Sequence, residues 1–202
     1  MRYSLITLYL ILISAIPVYS QWGIKGGLNG DWFKSPNGTD GGPGYDPKMG
    51  FHLGGTYDLL LSDKIYLQPE LLFTSSGSSI ETAFNPPAEI GKGFVEIYAI
   101  EVPLKLSFRP PIGKQSYFVL DLGLYARYGL FGRSHMTYGS EKTVKESPFK
   151  DYKRSDAGFN LGIGFQFNRI STGLMYQQGL SGAEKDGSSP HTSFRLSIGY
   201  KI

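Results

Sequence analysis

The chain contains no cysteine. No disulfide framework can therefore hold an exported domain together, and no lipid-accepting thiol follows the N-terminal segment. After residue 20, no stretch approaches the roughly 20 consecutive apolar residues of a membrane-spanning helix. Charge is modest as well, with 18% charged residues and a formal net charge of +3. The cations are scattered rather than gathered into a basic block, which excludes tracking of a nucleic-acid backbone. No regular metal-ligand spacing occurs, and no cofactor, metal site or catalytic set is expected.

What the chain does have is glycine and aromatic residues: 27 Gly, 14 Tyr and 13 Phe in 202 residues. This usage suits many short strands rather than helices. The N-terminus stands apart. Arg2, an apolar run from Leu5 to Val18 and the small Ser20 before Gln21 have the form of a secretory signal. The run is short and holds Ser14 and Pro17, which argues against an uncleaved anchor. The expected organisation is a signal peptide over 1–20 and one folded domain over 21–202.

The last stretch, Phe194 to Ile202, alternates without a break, with Phe194, Leu196, Ile198, Tyr200 and Ile202 opposite Arg195, Ser197, Gly199 and Lys201. Period two marks a strand between two different surroundings. The same pattern recurs up the chain. Strand one spans Gln21 to Phe33, strand two follows Met49, strand three runs from Ile65 to Thr74, and strand four from Tyr98 to Arg109. Strand five covers Ser116 to about Leu130, strand six Phe159 to Phe167, strand seven Ile170 to Gln178, and the terminal stretch makes eight.

The connections alternate long and short. Lys34–Pro47, Ser75–Gly93, Phe131–Asp156 and Gly179–Pro190 are long, while Leu61–Lys64, Pro110–Gly113 and Asn168–Arg169 are tight. Short turns on one side, long loops on the other and an even strand number describe an outer-membrane barrel. The predicted fold is all-β, an eight-stranded antiparallel up-and-down transmembrane barrel.

Aromatic positions offer an independent check, because the lipid face of such a barrel carries girdles at both water interfaces. On the apolar parity, Trp22, Tyr57, Phe108, Phe118, Phe167 and Tyr200 fall at the short-turn rim. Trp32, Phe51, Phe73, Tyr98, Tyr128, Phe159, Tyr176 and Phe194 fall at the long-loop rim. The ten residues from Trp22 to Trp32 span about 25 Å of depth at a tilt near 40°.

The chain also resembles a known family. Leu67-Gln68-Pro69-Glu70-Leu71-Leu72-Phe73, Ile100-Glu101-Val102-Pro103-Leu104-Lys105-Leu106, Phe159-Asn160-Leu161-Gly162-Ile163-Gly164 and Gly173-Leu174-Met175-Tyr176-Gln177-Gln178-Gly179-Leu180 are similar to landmarks of the PorT-like outer-membrane β-barrel family. The likeness covers nearly the whole domain. It implies an integral outer-membrane location and, through the family's founding member, a link to a machine that secretes proteins across that membrane.

The inward parity carries Glu70, Glu101, Lys105, Arg109, Asp121, Arg127 and Arg195, charges of both signs that a narrow barrel must bury as partners. This reads as a polar plug rather than a conduit. Small inward residues such as Gly27, Gly123 and Gly162 make room for it. The histidines, His52, His135 and His191, raise a lipid-acyl hydrolase or transferase as an alternative, since Ser134 precedes His135, and Ser188 and Ser189 precede His191. Neighbours on a strand face opposite ways, so sequence proximity supplies no triad.

Asn37 to Asp46 offers oxygen donors without calcium-loop spacing. Lys142, Lys145, Lys150, Lys153 and Arg154 could meet lipid phosphate, but Glu141, Glu146 and Asp151 interleave with them, as in a solvated loop. The expected function is a non-enzymatic integral barrel of a Gram-negative outer membrane, contacting membrane lipid and envelope or secretion proteins. The alternatives are a solitary structural or adhesive barrel, and a soluble lipocalin-like binder with its apolar parity turned inward.

Overall fold

The computed structural model describes residues 21–33, 44–83, 90–138, 142–150, 153–182 and 190–202. The strands are β1 (Gln21–Phe33), β2 (Gly44–Ser62), β3 (Ile65–Ala83), β4 (Ile90–Phe108), β5 (Ser116–Tyr138), β6 (Lys142–Glu146), β7 (Ser155–Phe167), β8 (Ile170–Gly182) and β9 (Pro190–Lys201). Each spanning strand pairs antiparallel with the next. Pairing of β1 with β9, Gly23 opposite Lys201 through Phe33 opposite His191, closes the ring. The result is a closed eight-stranded antiparallel barrel, with no spanning strand left as an edge.

The barrel is inside out relative to a soluble protein. Leu28, Leu53, Leu71, Leu104, Leu122, Leu161, Leu174 and Leu196 point outward and are about half exposed. Among the described residues, six buried hydrophobic side chains stand against twenty-four buried polar or charged ones. An apolar calyx needs the opposite arrangement, which removes the lipocalin-like alternative.

Strand extents differ from the sequence reading at the long-loop end. Ser75–Ala83 and Ile90–Gly93, expected as loop, are paired strand, as are Gly44–Pro47 and Phe131–Tyr138. Within the expected third loop, β6 forms a hairpin with the top of β5, and Pro148–Lys150 makes one 3-10 turn. The cause is physical. Above the membrane neither face meets lipid, so alternation fades while hairpin pairing still satisfies the backbone. A bulge adds a second reason: Ala99 pairs with Gly129 and Tyr98 with Phe131, leaving Leu130 extra on β5. Leu130 and Phe131 are consequently both exposed, and the period breaks where the sequence reading ends the strand.

Among the described residues the barrel is lopsided as a consequence. Strands β2, β3 and β4 have 19 residues and β5 has 23, whereas β1, β7 and β8 have 13 and β9 has 12. Crossing a bilayer takes about 9–11. The β2–β5 side therefore stands above the rest as a projecting wall, by ~20 Å of strand for a six-residue difference. The 3-10 turn packs against the inward side of this wall, with Phe149 against Gly129 and Pro148 against Gly132.

Glycine sets the lumen's width at specific points. A Cβ on Gly27 would lie 1.9 Å from the Leu196 carbonyl oxygen and 2.8 Å from the His52 ring, whereas one on Gly30 would meet nothing within 4 Å. Gly27→Ala should therefore cost about 1–3 kcal/mol by overpacking, and Gly30→Ala should leave stability nearly unchanged. Urea titration followed by the heat-modifiable gel shift of the folded barrel measures both.

Candidate functional site

Strand alternation delivers every second side chain to the lumen, where the polar residues form three tiers. At the short-turn end, Asp58 on β2 accepts from Gln68 at 2.5 Å, from Arg109 at 3.0 Å through one guanidinium nitrogen and more closely through another, and pairs with Lys201 at 2.8 Å. Arg109 also donates to Ser107. In the middle, Lys105 sits 2.7 Å from Glu70 and 3.0 Å from Asp121, and Lys25 reaches Glu70 over the intervening β2 at 3.2 Å. Above it, Arg195 forks onto Glu101 at 2.6 and 2.8 Å, and Gln177 donates to the same carboxylate at 3.1 Å.

The upper tier continues toward the long loops. Arg127 lies 3.4 Å from Asp156, which accepts the Tyr125 hydroxyl at 2.8 Å. His191 lies 3.1 Å from Asp31, and His52 bridges Asn29 at 2.6 Å and Ser197 at 2.9 Å. The lumen thus holds six cations, Lys25, Lys105, Arg109, Arg127, Arg195 and Lys201, and six carboxylates, Asp31, Asp58, Glu70, Glu101, Asp121 and Asp156, of which Asp31 is met by His191 rather than by one of the six cations. With histidine counted as neutral, these groups balance. The central cavity amounts to about 70 Å³, room for a few waters.

All seven sequence-selected charges, Glu70, Glu101, Lys105, Arg109, Asp121, Arg127 and Arg195, lie in this lumen, and every one except Asp121 is buried. Lys25, Asp31, Asp58 and Lys201 were not selected, although each sits on the polar parity of its strand. Asp156 lay in an expected loop, and its pairing with Arg127 depends on the early start of β7. His52 and His191 are lumen groups too, close to fully buried.

The histidines and serines of the acyl-enzyme alternative fall in different places. His191 is buried inside the barrel, Ser188 and Ser189 lie outside the described residues, and His135 stacks on Phe94 at 5.0 Å. Asn37–Pro43 of the oxygen-rich loop also lies outside the described residues, while Gly44–Asp46 belongs to β2. No group of metal-binding residues occurs among those described. Lys142 and Lys145 belong to β6, their side chains outside the described portion. Arg154 lies 3.9 Å over the Phe149 ring and donates to the Gly129 and Leu130 carbonyls, which fastens the loop rather than freeing that cation for lipid.

Aromatic belts ring the outer surface. At the long-loop rim Phe51, Phe73, Tyr98 and Phe131 make successive contacts at 6.1, 6.0 and 4.9 Å, and Phe159, Tyr176 and Phe194 continue at 6.4 and 5.2 Å. Tyr128 is exposed on the same face. At the short-turn rim, Trp22 packs on Tyr57 at 4.7 Å and Phe118 on Phe165 at 5.3 Å, with Phe108, Phe167 and Tyr200 exposed. The Trp32 side chain lies outside the described portion.

A closed barrel with an apolar outer band, aromatic belts and a polar interior is an integral outer-membrane protein. Residues 16–183 match the outer membrane protein beta-barrel domain family, and the chain belongs to it. No curated protein sequence matches the chain. Among solved structures, it is similar to the attachment invasion locus protein Ail of Yersinia pestis, with 17% identity over 91% of this chain and 99% of that one and a TM-score of 0.47. Neisserial surface protein A matches at 10% identity over 90% and 97%, with a TM-score of 0.45. The translocator domain of the autotransporter NalP from Neisseria meningitidis matches at 9% over 98% and 95%, at 0.40. Likenesses this distant leave the lumen and loops of this chain to be read from its own residues.

Glu101 is fully buried, so removing it strands the Arg195 guanidinium. Glu101→Leu should destabilise the barrel by about 3–5 kcal/mol, and adding Arg195→Leu should recover much of that loss. Urea unfolding of the two single variants and the double variant reads the coupling.

Proposed function

We propose that this barrel is a non-enzymatic, PorT-like envelope component that acts by holding other proteins at the cell surface, with a link to protein secretion. The observation that carries this reading is the projecting wall. A barrel built only to sit in the membrane has no use for spanning strands of 19–23 residues on one side and 12–13 on the other. The filled lumen supports it as well, since function then falls to the outer surfaces. The PorT-like landmarks of the sequence support the secretion link.

The wall is stiff for a surface feature. The β3–β4 pairing runs from Ile65 opposite Phe108 to Ala83 opposite Ile90. On its outer side Glu96 pairs with Arg133 at 3.1 Å and with Lys48 at 3.8 Å, and Lys48 lies 4.2 Å over the Phe94 ring. A preformed surface of this kind binds without a large ordering cost.

Photo-crosslinking residues at Ser79 and Thr137, high on the wall, and at the lipid-facing Leu122 test the proposal in cells. Discrete protein adducts from Ser79 and Thr137 with none from Leu122 are expected, together with reduced export of secreted proteins when the gene is deleted. Absence of adducts at both wall positions would leave a solitary structural barrel, and unchanged export would remove the secretion link.

A further inference from the structure

The short-turn mouth of the barrel holds a polar cavity of about 280 Å³ that the lumen network does not fill. It lies at the end opposite the projecting wall, on the periplasmic side, and the inference from it stands independently of the wall. Three cations border it, Arg109, Lys201 and Arg169. Asp58 is the carboxylate that engages Arg109 and Lys201, and Arg169 makes no ion pair among the described residues. Arg109, Lys201 and Asp58 already belong to the balanced lumen network, so Arg169 is the charge that the mouth adds without a partner among the described residues.

The walls suit an organic ligand rather than a bare ion. Tyr66 presents its ring face to Arg109 at 4.5 Å and to Lys201 at 5.6 Å, and Tyr117 lines the cavity beside it. Gln21 and Gln115, both exposed, add side-chain amides that can donate and accept. The rim is held in place by backbone bonds from Asn168 to Gln115 at 2.8 Å and from Lys201 to Arg169 at 2.8 Å. Gln166 steadies the same turn by donating to the Asn168 carbonyl at 2.9 Å. Asn168 there adopts a positive φ of 51°, which reverses the chain tightly and places Arg169 at the rim.

We propose that this mouth binds the free C-terminal end of a peptide. The terminal carboxylate fits the unpaired charge at Arg169 beside Lys201, the preceding backbone amides fit Gln21 and Gln115, and small side chains fit between the tyrosine rings. Charge-assisted hydrogen bonds supply the affinity and the amide contacts supply the orientation.

Titration calorimetry of the folded barrel in detergent tests the site with three probes: tri-alanine, tri-alanine amidated at its C-terminus, and inorganic phosphate. Saturable binding of the free acid is expected, with the amide weaker by about tenfold or more, as loss of a charged hydrogen bond implies. Arg169→Gln should weaken the acid by a similar factor, and Gln115→Glu, which sets a like charge in the same mouth and removes an amide donor, should weaken it too. Both variants should keep the heat-modifiable gel shift. Equal affinity for acid and amide, or no binding at millimolar peptide, would overturn the proposal. Phosphate binding as tight as the tripeptide would also overturn it, by reducing the site to general anion attraction.

Discussion

A lumen only as wide as its own side chains cannot hold an unpaired charge, because taking an ion out of water costs several kcal/mol that a partner must offset. The interior of this barrel depends on that constraint being met in each tier. Asp58 serves Arg109 and Lys201, Glu70 serves Lys25 and Lys105, and Glu101 serves Arg195. These pairs tie β2 to β4 and β9, β1 to β3, and β4 to β9, so the network braces the ring across its diameter as well as along its walls. The glycines serve the same end. Gly123 lies where a Cβ would meet the Lys105 backbone and the Asn160 amide, so a larger residue there would displace the chains that place the charges.

The outer surface answers a different solvent. In the band that faces lipid, apolar side chains gain nothing by turning inward, and the aromatic belts fix the depth at which the barrel sits. Above the upper belt the surroundings become water again, and among the described residues β2 to β5 continue furthest. The same β-pairing that closes the barrel carries β2 to β5 upward as a wall, with β6 added along the top of β5. One structural principle thus yields a polar, charge-paired body and an exposed surface, and the proposed recognition rests on the latter.

Much of this was legible in the sequence wherever lipid lies on one side and the lumen on the other. The Phe159–Phe167 segment alternates in composition and in burial alike, with Asn160, Gly164 and Gln166 buried and Leu161, Ile163 and Phe165 exposed. Alternation also placed the lumen charges, since parity alone decides which side chains turn inward. It lost its meaning at the membrane boundary. Ser75, Ser76 and Ser78 look like loop residues yet continue β3, and the extra Leu130 inverts the parity of β5. Pairing partners were out of reach, because parity names the residues of the lumen without saying that Arg195 meets Glu101, 94 positions away. Asp156 and His191 were obscured for the same reason, each lying at a strand start that only the tertiary register defines.

The central claim is that charge pairing seals the barrel. Single-channel recording of the purified protein in planar bilayers tests it most directly. A sealed lumen predicts no stepwise conductance from the unaltered protein at any applied voltage that the bilayer survives. Reproducible ohmic steps would contradict it and require a continuous water path through the tiers of Asp58, Glu70 and Glu101.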